Sequence, residues 1–221
     1  MSNKENYFSF RNKELKQQPD RKQLGEREVI TLLTILEIQD RPNSLENKTI
    51  IDLGSGDQHL RDSLESRGAT YTGIDIDMCN LEIDKIPSIS NSVDIAIGLA
   101  LIEHLHDPSN FLSEVKRILK PGGALWMDTP DIAACGTDFW NDPTHVHPYT
   151  RKSLKLLLGM SEYRDIRITP NYRCKPIKYY KGSELNFFIA RRLMLFKGTT
   201  TIPVPKFLKG KCSGLFVLAR K

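Results

Sequence analysis

The sequence predicts an α/β protein with a doubly wound, mostly parallel β-sheet. Short apolar segments typical of buried strands alternate with amphipathic segments typical of helices from residue 24 to residue 130. Parallel strands of this kind are joined by right-handed crossovers, which place helices on both faces of the sheet. Ligands of such sheets bind beyond the carboxyl ends of the strands. The residues that follow each strand are therefore the first candidates for a functional site.

Each element has a local signal of its own. Apolar side chains at helical spacing predict a helix over residues 24–39, and residues 59–68 and 108–123 each contain a helical pattern that ends in glycine. Thr150 is the expected N-cap of a helix that runs through Ser153–Leu158. Strands are predicted at residues 49–53, 69–75, 91–98, 124–130 and 213–221.

Length and composition favour one domain in a reducing compartment. The 221 residues fit a single domain with an N-terminal helical segment (1–45), a core (49–130) and a variable basic region (131–221). The N-terminus lacks the apolar stretch of a signal peptide, and no run of about 18 apolar residues occurs. The four cysteines show no Cys-x-x-Cys spacing. Together these features predict a cytoplasmic protein with reduced thiols.

Charge is distributed unevenly along the chain. Residues 1–150 carry 24 acidic and 15 basic side chains, whereas residues 151–221 carry 3 and 17. A basic region either faces an anionic partner, such as a phosphate, a nucleic acid or a lipid surface, or forms a solvated surface. Residues 185–196 have the pattern of a basic amphipathic helix, which would lie on a membrane, cover a pocket or pack into the core.

A glycine-rich loop follows the first predicted strand. Gly54 and Gly56 allow a tight turn and a close backbone approach to a ligand, although the same pattern also fits an ordinary strand–helix turn. About twenty residues later the second strand ends at Asp75, whose carboxylate suits ribose hydroxyls. His59 stands where a dinucleotide-binding loop has its third glycine, which disfavours NAD.

Three segments together resemble one enzyme family. The segments IDLGSG (51–56), GIDID (73–77) and SVDIAIGLALIEHLHDPSNFLSEVKRILKPGGALWMDTP (92–130) are similar in order, spacing and wording to class I S-adenosylmethionine-dependent methyltransferases. The resemblance covers residues 49 to about 130. It implies a Rossmann-like sheet of seven strands with an antiparallel final strand, and S-adenosylmethionine as the cofactor.

The resemblance also implies which residues bind the cofactor. The loop residues Asp52, Gly54, Ser55 and Gly56 would hold the methionine end, with Asp52 reaching the ammonium group.

The remaining implied cofactor residues follow the next strands of the sheet. Asp75 would bind the ribose, and Ile76 would pack on the adenine ring. Glu82, with Asp84 as the alternative, would face the adenine amine. Gly98 and Leu99 would line the sulfonium.

The strongest signal for the methyl acceptor is the polar and aromatic stretch from Phe139 to Thr150. A base is needed to take the proton of a hydroxyl acceptor, and histidine is suited to that task at neutral pH. We predict His145 as the base, with Asp142 orienting it. The stretch resembles the DPTH segment of bacterial sugar- and glycan-modifying methyltransferases, but its Asp-Pro and His-Pro pairs are also typical of a simple turn.

A second candidate, His104, follows the fourth strand beside Glu103. In quinone-biosynthesis methyltransferases, which this segment resembles, acidic and histidine residues at this place have been linked to a metal. Ala100 and Leu101 offer no ligand here, so we expect no metal and no requirement for one in catalysis. His104 is then either a catalytic residue or a polar wall of the cofactor pocket.

The favoured function is O-methylation of a small molecule or of a sugar or glycan, including a phosphorylated or lipid-linked one. Peripheral membrane contact through the basic region is a further expectation. One alternative is a nucleic-acid methyltransferase, although no Asn/Asp-Pro-Pro-aromatic tetrad and no Pro-Cys nucleophile occurs. The other alternative is an inactive S-adenosylmethionine-binding module, against which the intact glycine-rich loop and Asp75 argue.

Overall fold

The computed structural model describes residue 10 and residues 21–38, 43–170 and 213–221. One sheet contains six strands: β1 (Thr49–Leu53), β2 (Thr70–Ile74), β3 (Val93–Leu99), β4 (Leu119–Pro130), β5 (Arg164–Pro170) and β6 (Gly214–Arg220). The helices are α1 (Arg21–Ile38), α2 (Arg61–Glu65), α3 (Ser109–Ile118), α4 (Ile132–Cys135) and α5 (Arg151–Met160), with 3₁₀ turns at Ile102–His104 and Gly136–Asn141.

The sheet has the order β2-β1-β3-β4-β6-β5. β1 pairs in parallel with β2 and β3, and β3 pairs in parallel with β4, whereas β6 runs antiparallel to both β4 and β5. The predicted mostly parallel sheet with an antiparallel final strand is therefore confirmed. The described residues contain six strands rather than seven, since the segment between β2 and β3 forms turns, one of them closed by Asp84 on the N–H of Asn80.

Alternate side chains of the central strands feed two apolar cores. Ile50 and Ile97 pack with α1 on one face, where Leu32 of that helix is buried. Ile51 packs on the opposite face with α3, whose Phe111, like the other apolar residues of its inner side, is fully covered. Helices on both faces are the consequence expected of parallel strands joined by crossovers.

Two predicted boundaries differ from the structure. Helix α3 ends at Ile118, and β4 already begins at Leu119, which takes an extended backbone and pairs with Val93 of β3. Residues 59–68 contain only the short α2. Sheet pairing and the turn after the glycine-rich loop thus override the local helical patterns.

Thr150 caps α5 as predicted. Its hydroxyl accepts a hydrogen bond from the N–H of Ser153 at 3.1 Å, and the Ser153 hydroxyl accepts one from the N–H of Thr150 at 2.9 Å. The two bonds form a reciprocal capping arrangement at the start of the helix.

One prediction about the basic region, the amphipathic helix at 185–196, lies outside the described residues. Within the described ranges, no helix combines the length and the apolar character that a bilayer crossing requires.

Candidate active site

The loop after β1 turns through two glycines in the left-handed backbone region. Gly54 has a φ of +70° and Gly56 a φ of +53°. The N–H groups of Gly54 and Ser55 both donate to the carbonyl oxygen of Ile74, at 2.8 and 3.1 Å. The loop is thus held against the end of β2 in a conformation that residues with a Cβ rarely adopt.

Gly73 permits this close approach of the loop to β2. A Cβ at Gly73 would lie 2.8 Å from the Oγ of Ser55. That separation is shorter than van der Waals contact, so a larger residue would push the loop away. Sequence reasoning gave Gly73 no role, although a glycine directly before the strand end is a readable signal.

Asp75 ties the glycine-rich loop to the end of β2. Its Oδ2 accepts a hydrogen bond from the N–H of Gly56 at 2.7 Å, and its Oδ1 accepts one from the N–H of Ile76 at 2.7 Å. An ionised carboxylate has about four acceptor positions, so capacity for ribose hydroxyls remains. Asp75 therefore supports the loop itself, in addition to its predicted contact with the cofactor.

Asp52 is buried in β1 just before the loop. Tyr71 of β2 donates its hydroxyl to the Oδ2 of Asp52 at 2.7 Å. Burial raises the pKa of Asp52 to about 7, although the Tyr71 hydroxyl and His59 act in the opposite direction. Burial and the neighbouring Asp52 raise the pKa of Tyr71 as well, so the phenol stays a donor. A cation beside Asp52 would favour its ionised form.

The candidates for the adenine side lie between β2 and β3. The side chain of Ile76 is 36% exposed, which leaves it accessible to a flat ligand. The carboxylate of Glu82 accepts a hydrogen bond from the N–H of His106. Glu82 therefore links this segment to the loop after β3, whereas Asp84 closes a turn within the segment. The choice of Glu82 over Asp84 for the adenine amine stays a prediction.

The chain bends sharply after Leu99 at the end of β3. Leu99 pairs with Asp128 of β4, and Asp128 accepts the N–H of Ala100 on its Oδ1 at 2.7 Å. Ala100 has a φ of +47°, a conformation that a residue with a Cβ keeps only when its surroundings impose it. Asp128 is thus a site-shaping residue that the sequence motifs did not indicate.

Leu101 links this bend to the glycine-rich loop. A Cβ on Gly54 would lie 3.1 Å from one methyl carbon of Leu101, and a Cβ on Gly98 would lie 3.4 Å from the other. Leu101 therefore packs where the loop after β1 and the end of β3 meet. The 3₁₀ turn that follows Leu101 begins next to the predicted position of the sulfonium.

Helix α1 is attached to the residues that follow the glycine-rich loop. Arg21 forms a two-point ion pair with Asp57, at 2.7 Å from Nε to Oδ2 and 2.6 Å from Nη2 to Oδ1. The Nε2 of His59 lies 2.7 Å from a carboxylate oxygen of Glu28. A Cβ on Gly25 would lie 1.9 Å from the carbonyl oxygen of His59, so the packing is very close. These contacts explain His59 as a structural residue.

The stretch Phe139–Thr150, here called the acceptor loop, lies against the 3₁₀ turn after β3. The N–H groups of Val146 and His147 both donate to the carbonyl oxygen of Glu103, at 2.9 and 3.1 Å. The turn is well covered, since Glu103 is fully buried and His104 is 8% exposed. The structure therefore brings His104 and the acceptor loop together.

A chain of hydrogen bonds fixes which ring nitrogen of a neutral His104 carries the hydrogen. Its Nδ1 lies 2.9 Å from the Oγ1 of Thr144, and this hydroxyl donates to the Oδ1 of Asp142 at 2.6 Å. Because the hydroxyl proton points to the carboxylate, the hydroxyl oxygen accepts the Nδ1–H of His104. Neutral His104 therefore carries its lone pair on Nε2.

A backbone carbonyl fixes which ring nitrogen of a neutral His145 carries the hydrogen. The Nδ1 of His145 lies 2.6 Å from the carbonyl oxygen of Phe139, which can only accept, so the lone pair is again on Nε2. The sequence predicts that Asp142 orients His145. The Nδ1 of His145 contacts the carbonyl of Phe139, so the orienting role of Asp142 stays a prediction. The loop folds the Asp142 carboxylate back onto the N–H and hydroxyl of Thr144, at 3.0 and 2.6 Å, and so toward His104.

The two histidines and a carboxylate form one cluster. The ring centroids of His104 and His145 are 4.8 Å apart, and the ring of Phe139 packs 4.5 Å from that of His145. One ligand atom each of Glu103, His104 and His145 lies within 4.8 Å of the other two. The expectation of no metal rested on a missing third ligand, and the tertiary structure supplies a candidate in His145.

Comparison with known proteins decides the family. A model of the family described as "Methyltransferase domain" matches residues 21–166, which is well over half of the chain. The chain belongs to this family. The match includes the glycine-rich loop, the turn after β3 and the acceptor loop.

Two curated relatives of this methyltransferase carry the same name. It is 26% identical over 110 residues to a ubiquinone biosynthesis O-methyltransferase of Pseudomonas paraeruginosa, covering 41% of this chain and 47% of that protein. It is 28% identical over 116 residues to the protein of the same name from Haemophilus ducreyi, covering 42% and 49%. The chain thus spans about half the length of the curated relatives it matches.

Solved structures agree on the fold of the methyltransferase. A SAM-dependent methyltransferase from Archaeoglobus fulgidus has a TM-score of 0.58 and 20% identity, covering 88% of this chain and 94% of its own. A SAM-dependent methyltransferase from Aquifex aeolicus has a TM-score of 0.54 and 18% identity, with coverage of 95% and 97%. S-adenosylmethionine is the cofactor of this methyltransferase family.

One cavity of the methyltransferase lies away from these residues. It has a volume of about 480 Å³ and is lined by Leu33, Leu45 and Gly68 among others, near the amino ends of β1 and β2. Ligands of parallel sheets bind at the carboxyl ends. The cluster at the opposite edge is therefore the candidate active site.

Proposed function

We propose that this protein transfers the methyl group of S-adenosylmethionine to a hydroxyl oxygen of a small molecule, with His145 as the general base. The observation that carries the proposal is the tautomer that the neutral His145 ring must adopt. The carbonyl of Phe139 holds the proton on Nδ1, so Nε2 is ready to accept one. The His145 ring lies 4.8 Å from that of His104, in the turn that follows the end of β3.

The chemical step needs little beyond alignment and proton removal. The acceptor oxygen attacks the methyl carbon in line with the carbon–sulfur bond, which breaks and leaves neutral S-adenosylhomocysteine. The hydroxyl proton passes to the Nε2 of His145, so the charge lost by the sulfonium appears on the imidazolium. Alignment and general-base help are the two contributions expected of the protein.

The cofactor would lie along the carboxyl ends of β1, β2 and β3. We assign the methionine end to Asp52 and the glycine-rich loop, and the ribose to Asp75. Ile76 and Glu82 would border the adenine, and Gly98 with Leu99 would line the sulfonium. The left-handed glycines and the hydrogen bond from Gly56 to Asp75 support this arrangement.

A sugar or glycan unit is the acceptor class we favour. The acceptor loop offers Trp140, of which 57% is exposed, together with polar side chains, and such a combination suits a hydroxyl-rich ligand. The basic residues of the segment 151–221 favour a phosphorylated or lipid-linked form of that acceptor. The names of the curated relatives support O-methylation of a small molecule in general.

The test is a transfer assay with methyl-labelled S-adenosylmethionine. Pools of sugars, sugar phosphates and phenols are compared with matched deoxy analogues that lack one hydroxyl at a time. We expect label in an ether that is stable to mild base, and no label when the accepting hydroxyl is absent. Label found only in amines, or only in RNA, would contradict the proposal.

Cofactor choice is tested separately by calorimetry. We expect S-adenosylhomocysteine to bind and NAD to bind more weakly, because the loop carries His59 in place of a third glycine. If NAD bound more tightly than S-adenosylhomocysteine, the assignment of these residues to S-adenosylmethionine would be wrong.

A further inference from the structure

We infer that Trp140 is a stacking platform for a second sugar unit, so that the acceptor is an oligosaccharide and not a single sugar. Because the reacting unit is placed at His145, this step rests on the proposed function. The evidence for the second unit is the way in which the 3₁₀ turn Gly136–Asn141 presents Trp140 beside the acceptor half of the candidate site.

The indole of Trp140 is exposed but held in a fixed orientation. Trp140 is 57% exposed, whereas the adjacent Phe139 is buried. The two rings are nearly perpendicular, with their centroids 4.9 Å apart and their planes at 88°. A perpendicular contact of this kind covers at most one face of the indole. The turn therefore presents a large, flat, apolar surface to solvent, and a core residue sets its orientation.

Phe139 also connects Trp140 to the proposed base. The ring of Phe139 packs on that of His145 with the centroids 4.5 Å apart, and the Phe139 carbonyl oxygen accepts the Nδ1–H of His145 at 2.6 Å. Trp140 is thus separated from the imidazole by a single aromatic ring. A ligand that packs on the indole would extend outward from the proposed base and would leave the position of the reacting hydroxyl open.

Two polar side chains of the same turn flank Trp140. Asp138 and Asn141 are three positions apart, a spacing that places side chains of a 3₁₀ turn on one side. The Nδ2 of Asn141 donates to the Oδ1 of Asp138 at 3.4 Å, and both residues are exposed. A carboxylate accepts hydrogen bonds, and an amide both donates and accepts them. A sugar combines an apolar C–H face, which packs on an aromatic ring, with a rim of hydroxyls that this pair can bind.

The charge around Trp140 favours an uncharged ligand over a nucleic acid or an anionic membrane. Residues 131–150 contain three aspartates and neither lysine nor arginine. Nucleic acids and anionic lipids bind where basic side chains neutralise their phosphates. An exposed tryptophan among aspartates therefore suits a neutral sugar unit. A phosphate group on the acceptor would lie away from this turn.

Binding is tested by tryptophan fluorescence of the whole chain in the presence of S-adenosylhomocysteine. The chain has two tryptophans, and Trp126 is buried in β4, so a ligand on the surface changes mainly the emission of Trp140. The probes are the methyl glycosides of glucose, galactose, mannose and rhamnose, and disaccharides of the same sugars. We expect one or more disaccharides to change the emission and to bind about 3- to 10-fold more tightly than the corresponding monosaccharide. Calorimetry should show that Trp140→Ala loses this difference.

Transfer assays with the same sugars separate the second unit from the reacting one. Trp140→Ala should raise KM for the disaccharide about 3- to 10-fold and leave kcat near the wild-type value, because the indole takes no part in the chemical step. KM for the monosaccharide should not change. Trp140→Phe keeps an aromatic face and should lose less affinity. Leu156→Ala is the matched control, since Leu156 is 64% exposed on α5, outside the acceptor loop. Binding of S-adenosylhomocysteine reports that each variant is folded.

Three results would overturn the inference. The first is a panel in which no disaccharide binds more tightly than its monosaccharide, and the second is an equal rise of both KM values in Trp140→Ala, which would place the indole at the reacting unit. The third is an emission change caused only by RNA or by anionic vesicles. A protein that binds a disaccharide through Trp140 but methylates no hydroxyl contradicts the proposed function alone. A protein that methylates hydroxyls without any gain from a second sugar unit contradicts this inference alone.

Discussion

The cofactor half and the acceptor half of the candidate site are built in different ways. On the cofactor side, neighbouring loops are joined mainly through backbone groups, as when the N–H groups of Gly54 and Ser55 reach the carbonyl of Ile74. On the acceptor side, side chains are joined to one another by hydrogen bonds, as when the Thr144 hydroxyl contacts both Asp142 and His104. Contacts between backbone groups depend on the conformation of the chain. Contacts between side chains depend on which residues are present.

The two halves should therefore respond differently to substitution. Changes in the acceptor half should lower turnover while the cofactor still binds. Changes in the cofactor half should alter affinity and stability together, because the residues that we assign to the cofactor also hold the loop. Four substitutions test this difference.

The largest expected effect is that of His145→Ala. Loss of the group that accepts the acceptor proton should lower kcat by ~10²–10⁴-fold, equivalent to roughly 3–5 kcal/mol. The Kd of S-adenosylhomocysteine should stay near the wild-type value, because His145 lies in the acceptor half. The acidic limb of the pH–rate profile should also disappear.

His106→Gln is the matched control for this variant. The side chain of His106 is exposed, and only its backbone N–H contacts the site, through Glu82. A wild-type rate for His145→Ala would place the base elsewhere, with His104 as the next residue to substitute.

Asp52→Asn should raise stability while it weakens cofactor binding. The folded-state pKa of Asp52 is about 7, above its ordinary value of 3.8, because burial disfavours the charged form. The folded protein then binds more protons than the unfolded chain between these values, so this group destabilises the fold progressively as pH rises from about 4 to about 7. Near pH 8 we expect Asp52→Asn to be more stable by ~1–4 kcal/mol, measured by urea unfolding.

The pH dependence of cofactor binding gives the functional counterpart. The wild-type affinity for S-adenosylhomocysteine should rise as pH increases through about 7, because the ionised Asp52 attracts the ammonium group. Asp52→Asn should show a flatter profile and weaker binding. Tyr71→Phe is the control that keeps the carboxylate but removes a hydrogen bond to it, and it should move the transition to higher pH. If the affinity of all three proteins depended on pH in the same way, Asp52 would not contact the cofactor.

Asp75→Ala should weaken cofactor binding by ~1–3 kcal/mol. Hydrogen bonds to ribose are lost, and the N–H of Gly56 loses its acceptor, so part of the effect comes from a looser loop. Asp75→Asn keeps one acceptor oxygen for Gly56 and should lose less affinity. Calorimetry that finds unchanged affinity in folded Asp75→Ala would remove this residue from the site.

The smallest expected effect is that of Thr150→Ala at the start of α5. The reciprocal hydrogen bonds with Ser153 are lost, which should lower the free energy of unfolding by about 1 kcal/mol. Cofactor affinity should not change, because the cap lies at the end of the acceptor loop. A change in affinity equal to that of Asp75→Ala would show that the two halves are not separable.

The closeness of the glycine-rich loop and Asp75 could be predicted from the sequence, because its signals are local. Gly54 and Gly56 follow directly on an apolar strand, and Asp75 follows the next strand, so parallel pairing alone brings them together. Tyr71 could not be predicted as the partner of Asp52, since an aromatic residue in a strand usually belongs to the core. The end of α3 at Ile118 could not be predicted either, because the pairing of Leu119 with Val93 is a long-range contact.

The acceptor half was predicted only as a set of residue types. Its histidines and aspartate were recognisable as unusual for a core, but the pairing of Asp142 with Thr144 depends on how the loop folds back. The placement of His145 beside Glu103 and His104 depends on contacts between segments about forty residues apart in sequence. Spacing along the chain gives no information on such contacts.

The sequence by itself determined the fold class, the family resemblance and the position of the glycine-rich loop, because periodicity and glycine placement act within a few residues of chain. Only the tertiary structure decided which nitrogen of each histidine carries the lone pair, that Asp75 supports the loop, and that three potential metal ligands converge. These features arise from hydrogen bonds between the turn after β3 and the acceptor loop, and their geometry exists only once the sheet has placed both segments at the same edge.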